Sequence, residues 1–332
     1  MVYCGIDTGK DALDVVVRSK GKSLKCLTFK NNPSGHQAIL KYLLKQKVTQ
    51  VGIEATGYYH LDIALELDDA AGIDVMIINP RASKNFAKAM MQNVKTDAID
   101  AELLAQFVER MDFVKWKSPV GDVFAIRSYG RRLVSLSKEK TKAKNQLHAF
   151  SRTKRTPKAI LEDIHLSVQQ LESQIENLMT HALALIKQNE VLQSRYLRLI
   201  SIKGVADKTA IKLIGELGIL ARDMSAKQWV AHAGLYPRLF ESGSSVKKRT
   251  SIGKIGNRYI REALYMGALS ATRYDPNIHA FYLHMIEDSG LTKLQAVCAV
   301  MRKMLLAMHR MLKEDKPFDG QRFYSLSEAI ID

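Results

Sequence analysis

Three short apolar segments near the start of the chain are joined by connections of only a few residues. They lie at Val2–Ile6, Leu13–Val17 and Leu24–Phe29, and the last two flank a turn at Lys20–Lys22. Their apolar and β-branched content predicts strands. Connections this short favour antiparallel pairing, because a parallel crossover needs about a dozen residues or more. The chain is therefore predicted to begin with three antiparallel strands.

After these strands the sequence alternates between helix and strand. The predicted elements are, in order, a helix over Pro33–Lys45, a strand over Gln50–Glu54, a helix over Tyr59–Ala71, a strand over Ile73–Ile78, and helices over Pro80–Met91 and Asp97–Arg110. Alternation of this kind predicts parallel strands. Three antiparallel strands joined to parallel ones make a mixed α/β sheet covered by helices, the order seen in RNase H-like nucleases. We assign this domain to residues 1–125.

From Ile126 the pattern changes to a heptad repeat of apolar residues that continues to Phe150. A turn interrupts it, and a second heptad run extends from Leu161 to Leu192. Runs of this length favour an antiparallel coiled-coil hairpin over residues 126–195, with a helical bundle core as the alternative. Asn189 falls at a core position, where a polar residue can set register or oligomeric state. The remainder, 196–332, is predicted to be a mostly helical C-terminal domain with Gly-rich loops.

The chain of 332 residues carries 50 Lys+Arg against 34 Asp+Glu, a formal net charge of +16. An excess of this size implies an anionic partner, and nucleic acid is favoured over the rival, a membrane surface. No apolar run approaches the ~18 residues of a transmembrane helix, and the first residues lack the pattern of a signal peptide. The three cysteines have neither disulfide nor zinc spacing, which favours a reducing cytoplasm.

Basic residues concentrate in the first arm of the predicted hairpin and the turn after it, where only Glu139 opposes eleven of them. This imbalance favours a phosphate-contacting surface over a solvated helix face. Residues 199–210 have the form of a helix-hairpin-helix, whose Gly204 turn would let amides approach a phosphate. Ala206 departs from that motif, and a plain helix-turn-helix is the alternative. The residues expected to bind nucleic acid are Arg131, Arg132, Lys138, Lys142, Arg152, Lys154, Arg155, Lys203, Lys208, Arg238, Lys247, Lys248, Arg249, Lys254 and Arg258.

Four acidic residues form the strongest chemical pattern. Asp7 ends the first strand and Glu54 ends a later one, so parallel neighbours would bring both carboxylates to one sheet edge. Asp97 and Asp100 are three residues apart, which places them on one face of a helix. Four converging carboxylates need cations, and their hard oxygens suit Mg²⁺ or Mn²⁺. Each residue alone also has a structural explanation, such as a helix cap for Asp97.

Two further motifs have patterns that occur at phosphate-binding sites. Gly5–Gly9 also resembles the first phosphate loop of actin-like ATPases and sugar kinases, but the sequence lacks their second phosphate loop and adenosine motif. In the C-terminal region, Glu241–Arg249 combines hydroxyls with Lys and Arg in a Gly-rich loop suited to phosphate contact. A serine there becomes a nucleophile if a base removes its proton, although a turn or a phosphate contact is its commoner role.

Together these motifs resemble the DEDD transposases of bridge-RNA-guided insertion sequences, a family that includes the pilin-gene invertase Piv. The matching residues are Gly5-Ile6-Asp7, Glu54-Ala55-Thr56-Gly57, Ile78-Asn79-Pro80, Lys95–Ala101, Ala233-Gly234-Leu235, Pro237 and Glu241–Ser245. The resemblance spans nearly the whole chain. It implies a RuvC-like N-terminal domain, a coiled-coil insertion and a C-terminal transposase domain. It also implies that Asp7, Glu54, Asp97 and Asp100 bind Mg²⁺ while Ser242 attacks DNA and forms a phosphoserine link.

The same resemblance implies donor and target DNA as substrates and a structured noncoding bridge RNA that pairs with both. It further implies a homotetramer, built from dimers, in which the serine of one subunit completes the acidic site of another. A bacterial or archaeal protein of this kind is expected in the cytoplasm at the nucleoid. Three alternatives remain: a site-specific DNA invertase, a RuvC-like metal-dependent nuclease or resolvase without a serine intermediate, and a noncatalytic nucleic-acid scaffold.

Overall fold

The computed structural model describes residues 1–92, 94, 96–119, 121–221, 223–242, 246–253 and 255–326, with the backbone alone described at 239–242 and 246–251. The chain divides into two compact units, Met1–Ser118 and Pro119–Asp332. The elements of the first unit are β1 (Val2–Thr8), β2 (Ala12–Ser19), β3 (Lys22–Ser23), β4 (Leu27–Lys30), α1 (Pro33–Lys45), β5 (Gln50–Glu54), α2 (Leu61–Asp68), β6 (Asp74–Ile78), α3 (Pro80–Ala89) and α4 (Asp97–Arg110).

The first unit is built on one mixed sheet with the strand order β3-β2-β1-β5-β6. β1 pairs antiparallel with β2 and parallel with β5, and β5 pairs parallel with β6. The predicted mixed α/β sheet is therefore confirmed. The third predicted strand is divided, because β3 pairs with the end of β2 and β4 with its beginning. The segment between them belongs to neither strand, although the Leu24 amide still donates a hydrogen bond to the Val17 carbonyl of β2 at 2.8 Å.

The two faces of β1 pack against different parts of the first unit. Cys4 and Ile6 are buried in an apolar core together with residues of α1 and α2. Gly5 points to the opposite face, where an added Cβ would stand 2.2 Å from the carbonyl oxygen of Ala101 in α4. Only glycine permits this close approach of helix and sheet. Since residues two apart share a face of a strand, Asp7 points to the same side as Gly5, toward the beginning of α4.

The second unit is mostly helical, as predicted. Its elements are α5 (Gly121–Phe150), α6 (Lys158–Gln188), α7 (Glu190–Ile200), α8 (Asp207–Leu217), α9 (Ala226–Ala233), β7 (Pro237–Ser242), β8 (Val246–Ile252), α10 (Arg258–Tyr274), α11 (Pro276–Glu287), α12 (Lys293–Glu314) and α13 (Gly320–Phe323). One apolar core extends from α5 to α13, with Ile126, Leu213, Leu264 and Met304 fully buried in it. No helix among the described residues is long and apolar enough to cross a membrane.

The two long helices α5 and α6 follow one another across the predicted turn and pack together, with Lys144 of α5 paired to Glu172 of α6 at 2.7 Å. The second heptad run does not continue to its predicted end. Asn189 lies outside α6 and caps α7, accepting a hydrogen bond from the Leu192 amide and donating one to Asp122. The prediction that Asn189 occupies a core position is therefore wrong, because its side chain instead caps the N-terminus of α7.

Two other C-terminal predictions need correction in detail. The Gly-rich loop around Ser242 contains a β-hairpin, in which β7 pairs antiparallel with β8. The β-branched residues of β8 favour this extended structure. α7 and α8 do flank a turn at Gly204, but that glycine, at φ +95°, packs against α10, where an added Cβ would stand 2.5 Å from the Gly267 carbonyl oxygen. Helix packing thus accounts for Gly204 without a phosphate.

The predicted domain boundaries after residues 125 and 195 fall inside α5 and α7. The predicted hairpin domain, 126–195, lies wholly within the second compact unit. The division of the chain into three domains therefore remains a proposal, beside the two units of the structure.

Candidate active site

Asp7 and Glu54 lie side by side at the carboxyl edge of the sheet. The parallel register pairs Ile6 with Ile53, so the next residue of each strand is an acid. One Glu54 carboxylate oxygen accepts a hydrogen bond from the Ser83 hydroxyl at 2.5 Å, and the other accepts one from Thr56 at 3.3 Å. Asp7 accepts a hydrogen bond from the Thr8 amide at 3.0 Å. The Ser83 contact joins Glu54 to the first turn of α3, and the Thr8 contact is local to β1.

Asp97 and Asp100 occupy the first turn of α4, which Thr96 caps by accepting a hydrogen bond from the Ile99 amide. Burial, followed by the negative charges of Asp100, Glu54 and Asp97, raises the pKa of the Asp7 carboxyl to about 6, and the Thr8 amide offsets only part of this. The charges of the other three carboxylates therefore all reach Asp7 at this edge. The structure brings together the four acidic residues that the sequence singles out.

The fit of this cluster to a metal ion rests on its donor atoms. Four carboxylates supply the hard oxygens that Mg²⁺ and Mn²⁺ prefer. Among the residues that the structure describes, however, no three His, Cys, Asp or Glu side chains are arranged closely enough to hold an ion. The two observations are compatible, because the effect of one charge on the pKa of another extends beyond the distance at which a metal ion joins its ligands. The cluster has suitable ligands, but they are not drawn onto a common point.

A cleft of about 500 Å³ opens beside this cluster, and Glu54 and Asp100 are part of its wall. The other residues that line it are Pro80, Ser83, Lys84, Ala87, Lys88, Gln92, Val94, Leu103 and Leu104. The sequence motifs did not single out Ser83, Lys84 and Lys88. Their spacing on one helix directly after the Ile78-Asn79-Pro80 motif was the signal available. Ammonium groups beside carboxylates suit a phosphodiester near the acids.

A fifth acidic residue, Asp14, lies opposite Asp7 in the antiparallel register of β1 and β2. It accepts hydrogen bonds from the Thr28 hydroxyl at 2.5 Å and from the Cys26 thiol at 3.8 Å. Burial, then the charge of Asp14 and, more weakly, that of Asp97, raises the pKa of the Cys26 thiol. Asp14 was also missed, although its place in an alternating strand opposite Asp7 was a usable signal.

The basic residues expected to bind nucleic acid have different surroundings. The exposed ones are Arg132, Lys138, Lys142, Arg152, Lys154, Arg155, Lys203, Arg238 and Arg258. Arg131 instead donates two hydrogen bonds to the buried Glu216. Burial, then the positive charges of Lys212 and Lys140, lowers the pKa of Lys208, so basic groups crowd together there. Only the backbone is described at Lys247, Lys248 and Arg249, and Lys254 lies outside the described residues.

Ser242 is the last residue of β7, where its backbone pairs with Val246 of β8. The three residues between these strands, Gly243, Ser244 and Ser245, lie outside the described residues, and the description of Ser242 is limited to its backbone. The structure thus places Ser242 where the hairpin turns, and its chemical role remains a prediction.

Comparison with known proteins gives matches along most of the chain. Residues 4–152 match the DEDD transposase family of IS110 type, described as a transposase, and residues 196–283 match the family described as "Transposase IS116/IS110/IS902 family". The pilin gene-inverting proteins of Moraxella bovis and Moraxella lacunata are each 30% identical over 325 residues, which are 96% of this chain and 97% of the relative. The transposase for insertion sequence element IS1328 of Yersinia enterocolitica is 26% identical, over 58% of this chain and 62% of its own.

Among solved structures, Thermus thermophilus RuvC in complex with Holliday junction substrate aligns at 20% identity and a TM-score of 0.28, covering 35% of this chain and 98% of RuvC. The sequence matches define the class: this protein is an enzyme that cleaves and rejoins DNA. The chain belongs to the IS116/IS110/IS902 family of transposases.

Proposed function

We propose that this transposase cuts and rejoins donor and target DNA through a covalent phosphoserine intermediate, assisted by Mg²⁺ at Asp7, Glu54, Asp97 and Asp100. The observation that supports the metal assignment is the place of Asp7, where burial and then the charges of Asp100, Glu54 and Asp97 raise the pKa of its carboxyl to about 6. A cation bound at such a cluster would offset the repulsion between the carboxylates and favour the ionised form of Asp7.

In the proposed reaction the Ser242 hydroxyl oxygen attacks a phosphorus atom of the DNA backbone. A phosphorus–oxygen bond to serine forms as the bond to the 3′ oxygen breaks, and the serine proton goes to a base or to the departing oxygen. Asp7, Glu54, Asp97 and Asp100 would hold a cation, which would supply charge stabilisation for that oxygen. Because the phosphodiester is exchanged and not hydrolysed, the reverse attack by a new 3′ hydroxyl rejoins the strands without ATP.

The other parts of the proposal concern guidance and assembly. We propose a structured noncoding RNA as the source of sequence choice, since base pairing would leave little trace in the protein. The exposed basic residues of α5 and its turn support a nucleic-acid partner there. We further propose that α5 and α6 form a coiled-coil hairpin that pairs subunits into dimers and tetramers. The packing of α5 against α6 within the chain supports the hairpin.

The test of the serine step is a trapping assay. Purified protein with its copurified RNA is mixed with labelled donor and target DNA and Mg²⁺, denatured, and separated on a gel. We expect a protein–DNA adduct that is absent from Ser242→Ala and retained by Ser251→Ala, a matched serine of the same hairpin. Cleavage without an adduct, equal in wild type and Ser242→Ala, would instead establish the second candidate, a metal-dependent nuclease that uses water.

The second candidate, the metal-dependent nuclease, is kept because the four acids that it would use all lie in the first unit, whereas Ser242 lies in the second.

RNA guidance is tested separately. Replacing the guide segment of the copurified RNA is expected to redirect the adduct to a new DNA sequence. Recombination at unchanged sites after complete removal of RNA would point to a site-specific invertase.

A further inference from the structure

Glu216 of α8 is a buried carboxylate, 2% exposed, at the crossing of α8 and α5. The two helices approach closely because each has a glycine at the contact. An added Cβ on Gly215 would stand 2.5 Å from the Cα of Arg127, and one on Gly130 would stand 3.2 Å from the Cα of Lys212. This close crossing places the Glu216 carboxylate within reach of side chains on both helices.

Three donors surround this carboxylate. One oxygen accepts a hydrogen bond from Arg131 Nε at 2.6 Å, and the other accepts one from Asn257 Nδ2 at 2.6 Å. Arg127 Nε lies 3.4 Å from the second oxygen. Burial alone would raise the pKa of Glu216, but the hydrogen bonds from Arg131 and Asn257 and the charge of Arg127 lower it. Glu216 is therefore an ionised group inside the second unit.

Asn257 links this buried carboxylate to the β-hairpin. It follows β8 and caps α10, where its side-chain oxygen accepts hydrogen bonds from the amides of Tyr259 and Ile260 at 2.9 and 3.2 Å. The backbone amide of Asn257 donates a hydrogen bond to the His232 carbonyl at 2.7 Å. Asn257 is thus held by α8, α9 and α10 at once, five residues after the end of β8.

The entry of the hairpin is fixed at the same place. The Gly253 amide, which follows β8, donates to the Tyr236 carbonyl, which precedes β7, at 2.9 Å. An added Cβ on Gly253 would meet the Tyr236 ring at 2.5 Å, and one on Gly256 would meet the His232 carbonyl oxygen at 2.3 Å. The two ends of the hairpin that carries Ser242 are therefore packed on each other, and the segment after it packs on His232, whose carbonyl also binds the Asn257 backbone amide.

Burial of a carboxylate in a helical core costs desolvation free energy. Apolar side chains of similar volume often stabilise such a core equally well or better. Glu216 has a different property, which is that its hydrogen bonds are directional. They fix Asn257 relative to α5 and α8, where apolar packing would allow small shifts.

We propose that Glu216 is the positioning residue of the serine hairpin: through Asn257 it fixes the root of β7 and β8 so that Ser242 is presented correctly for attack on DNA. This inference rests on the proposed phosphoserine function. Misplacement of a reacting group by about 1 Å can cost about 100-fold in rate. Loss of the Glu216–Asn257 link should therefore slow the attack of serine while nucleic-acid binding is retained.

An exchange of the two side chains provides the test. Asn257→Asp keeps the acceptor that caps α10 but places a second carboxylate against Glu216. Glu216→Gln removes the charge that holds Arg131. The double variant with both substitutions restores one carboxylate and one amide in contact, with the original net charge. Single-turnover adduct formation at saturating DNA and RNA, DNA-binding affinity and thermal unfolding are measured for all four proteins.

We expect each single variant to form the adduct about 10- to 100-fold more slowly with binding within about twofold of wild type, and the double variant to recover most of the rate. Single variants that react at the wild-type rate would overturn the proposal, as would rate losses fully explained by weaker binding. If Glu216→Gln does not fold, Asn257→Asp and the double variant still decide. A wild-type protein that forms no adduct would reject the phosphoserine function itself, a distinct result.

Discussion

The Ser83 hydroxyl donates a 2.5 Å hydrogen bond to the Glu54 carboxylate, joining the first turn of α3 to the end of β5. Removal of this bond by Ser83→Ala should free Glu54 to rotate. Groups that orient a metal ligand typically change metal affinity or activity by about 10- to 100-fold. We expect Ser83→Ala to raise the Mg²⁺ concentration needed for half-maximal cleavage by about that factor. Ser34→Ala, in the first turn of α1, is the matched control and should behave as wild type.

Asp7 gives a prediction about pH. Its folded-state pKa of about 6 lies above the ordinary value of 3.8, so the folded protein binds this proton more tightly than the unfolded chain. The contribution of this proton to the free energy of unfolding is fully present below pH 3.8 and is lost as the pH rises through 6. In metal-free protein, Asp7→Asn should raise the melting temperature above pH 6 and give no gain at pH 3.8 or below. The exposed Asp112→Asn serves as the control, and an equal gain from it would contradict the assignment.

Binding of Mg²⁺ should stabilise the protein through the same carboxylates. A ligand that binds only the folded state adds about 2.7 kcal/mol at 100 times its dissociation constant. We expect the melting temperature of wild type to rise with Mg²⁺, and that of Asp97→Asn to respond much less. A response that Asp97→Asn retains in full would place the metal elsewhere.

The contact of Gly5 with α4 predicts a large effect of a single methyl group. Gly5→Ala would bring a Cβ to 2.2 Å from the Ala101 carbonyl oxygen, so α4 must move. Overpacking of this kind costs about 1–3 kcal/mol. We expect lower unfolding free energy and a loss of cleavage greater than the loss of folded protein, because Asp97 and Asp100 move with α4. Gly121→Ala, with open space around its Cβ, should change neither measurement.

Local signals account for most of what the sequence predicted. The helices that begin at Pro33 and Asp97 are confirmed to the residue, because Asn32 and Thr96 cap them through their own side chains. The acidic cluster was predictable for a related reason, since each acid lies near the end of a strand or in the first turn of a helix. Asp7 and Glu54 needed only the assumption of parallel neighbouring strands, and that pairing is observed.

The remaining features depend on contacts between distant parts of the chain. The heptad pattern across Asn189 suggested a core position, but its partner Asp122 lies 67 residues away. Arg131 was interpreted as a phosphate contact because Glu216, 85 residues further on, could not be assigned to it in advance. The division of β3 from β4 follows from their register with β2, which the sequence does not specify. The role of Ser242 stays a prediction.

The length of α5 gives the second unit a mechanical property. Its 30 residues extend about 45 Å. The first half carries Arg127 and Arg131, which hold Glu216, and the second half carries Lys144, which holds α6. A continuous helix transmits a tilt at one end to the other as a rigid lever. A displacement of the basic end of the α5–α6 pair would therefore be transmitted along α5 to Glu216 and the base of the β7–β8 hairpin, with no break in the helix between them.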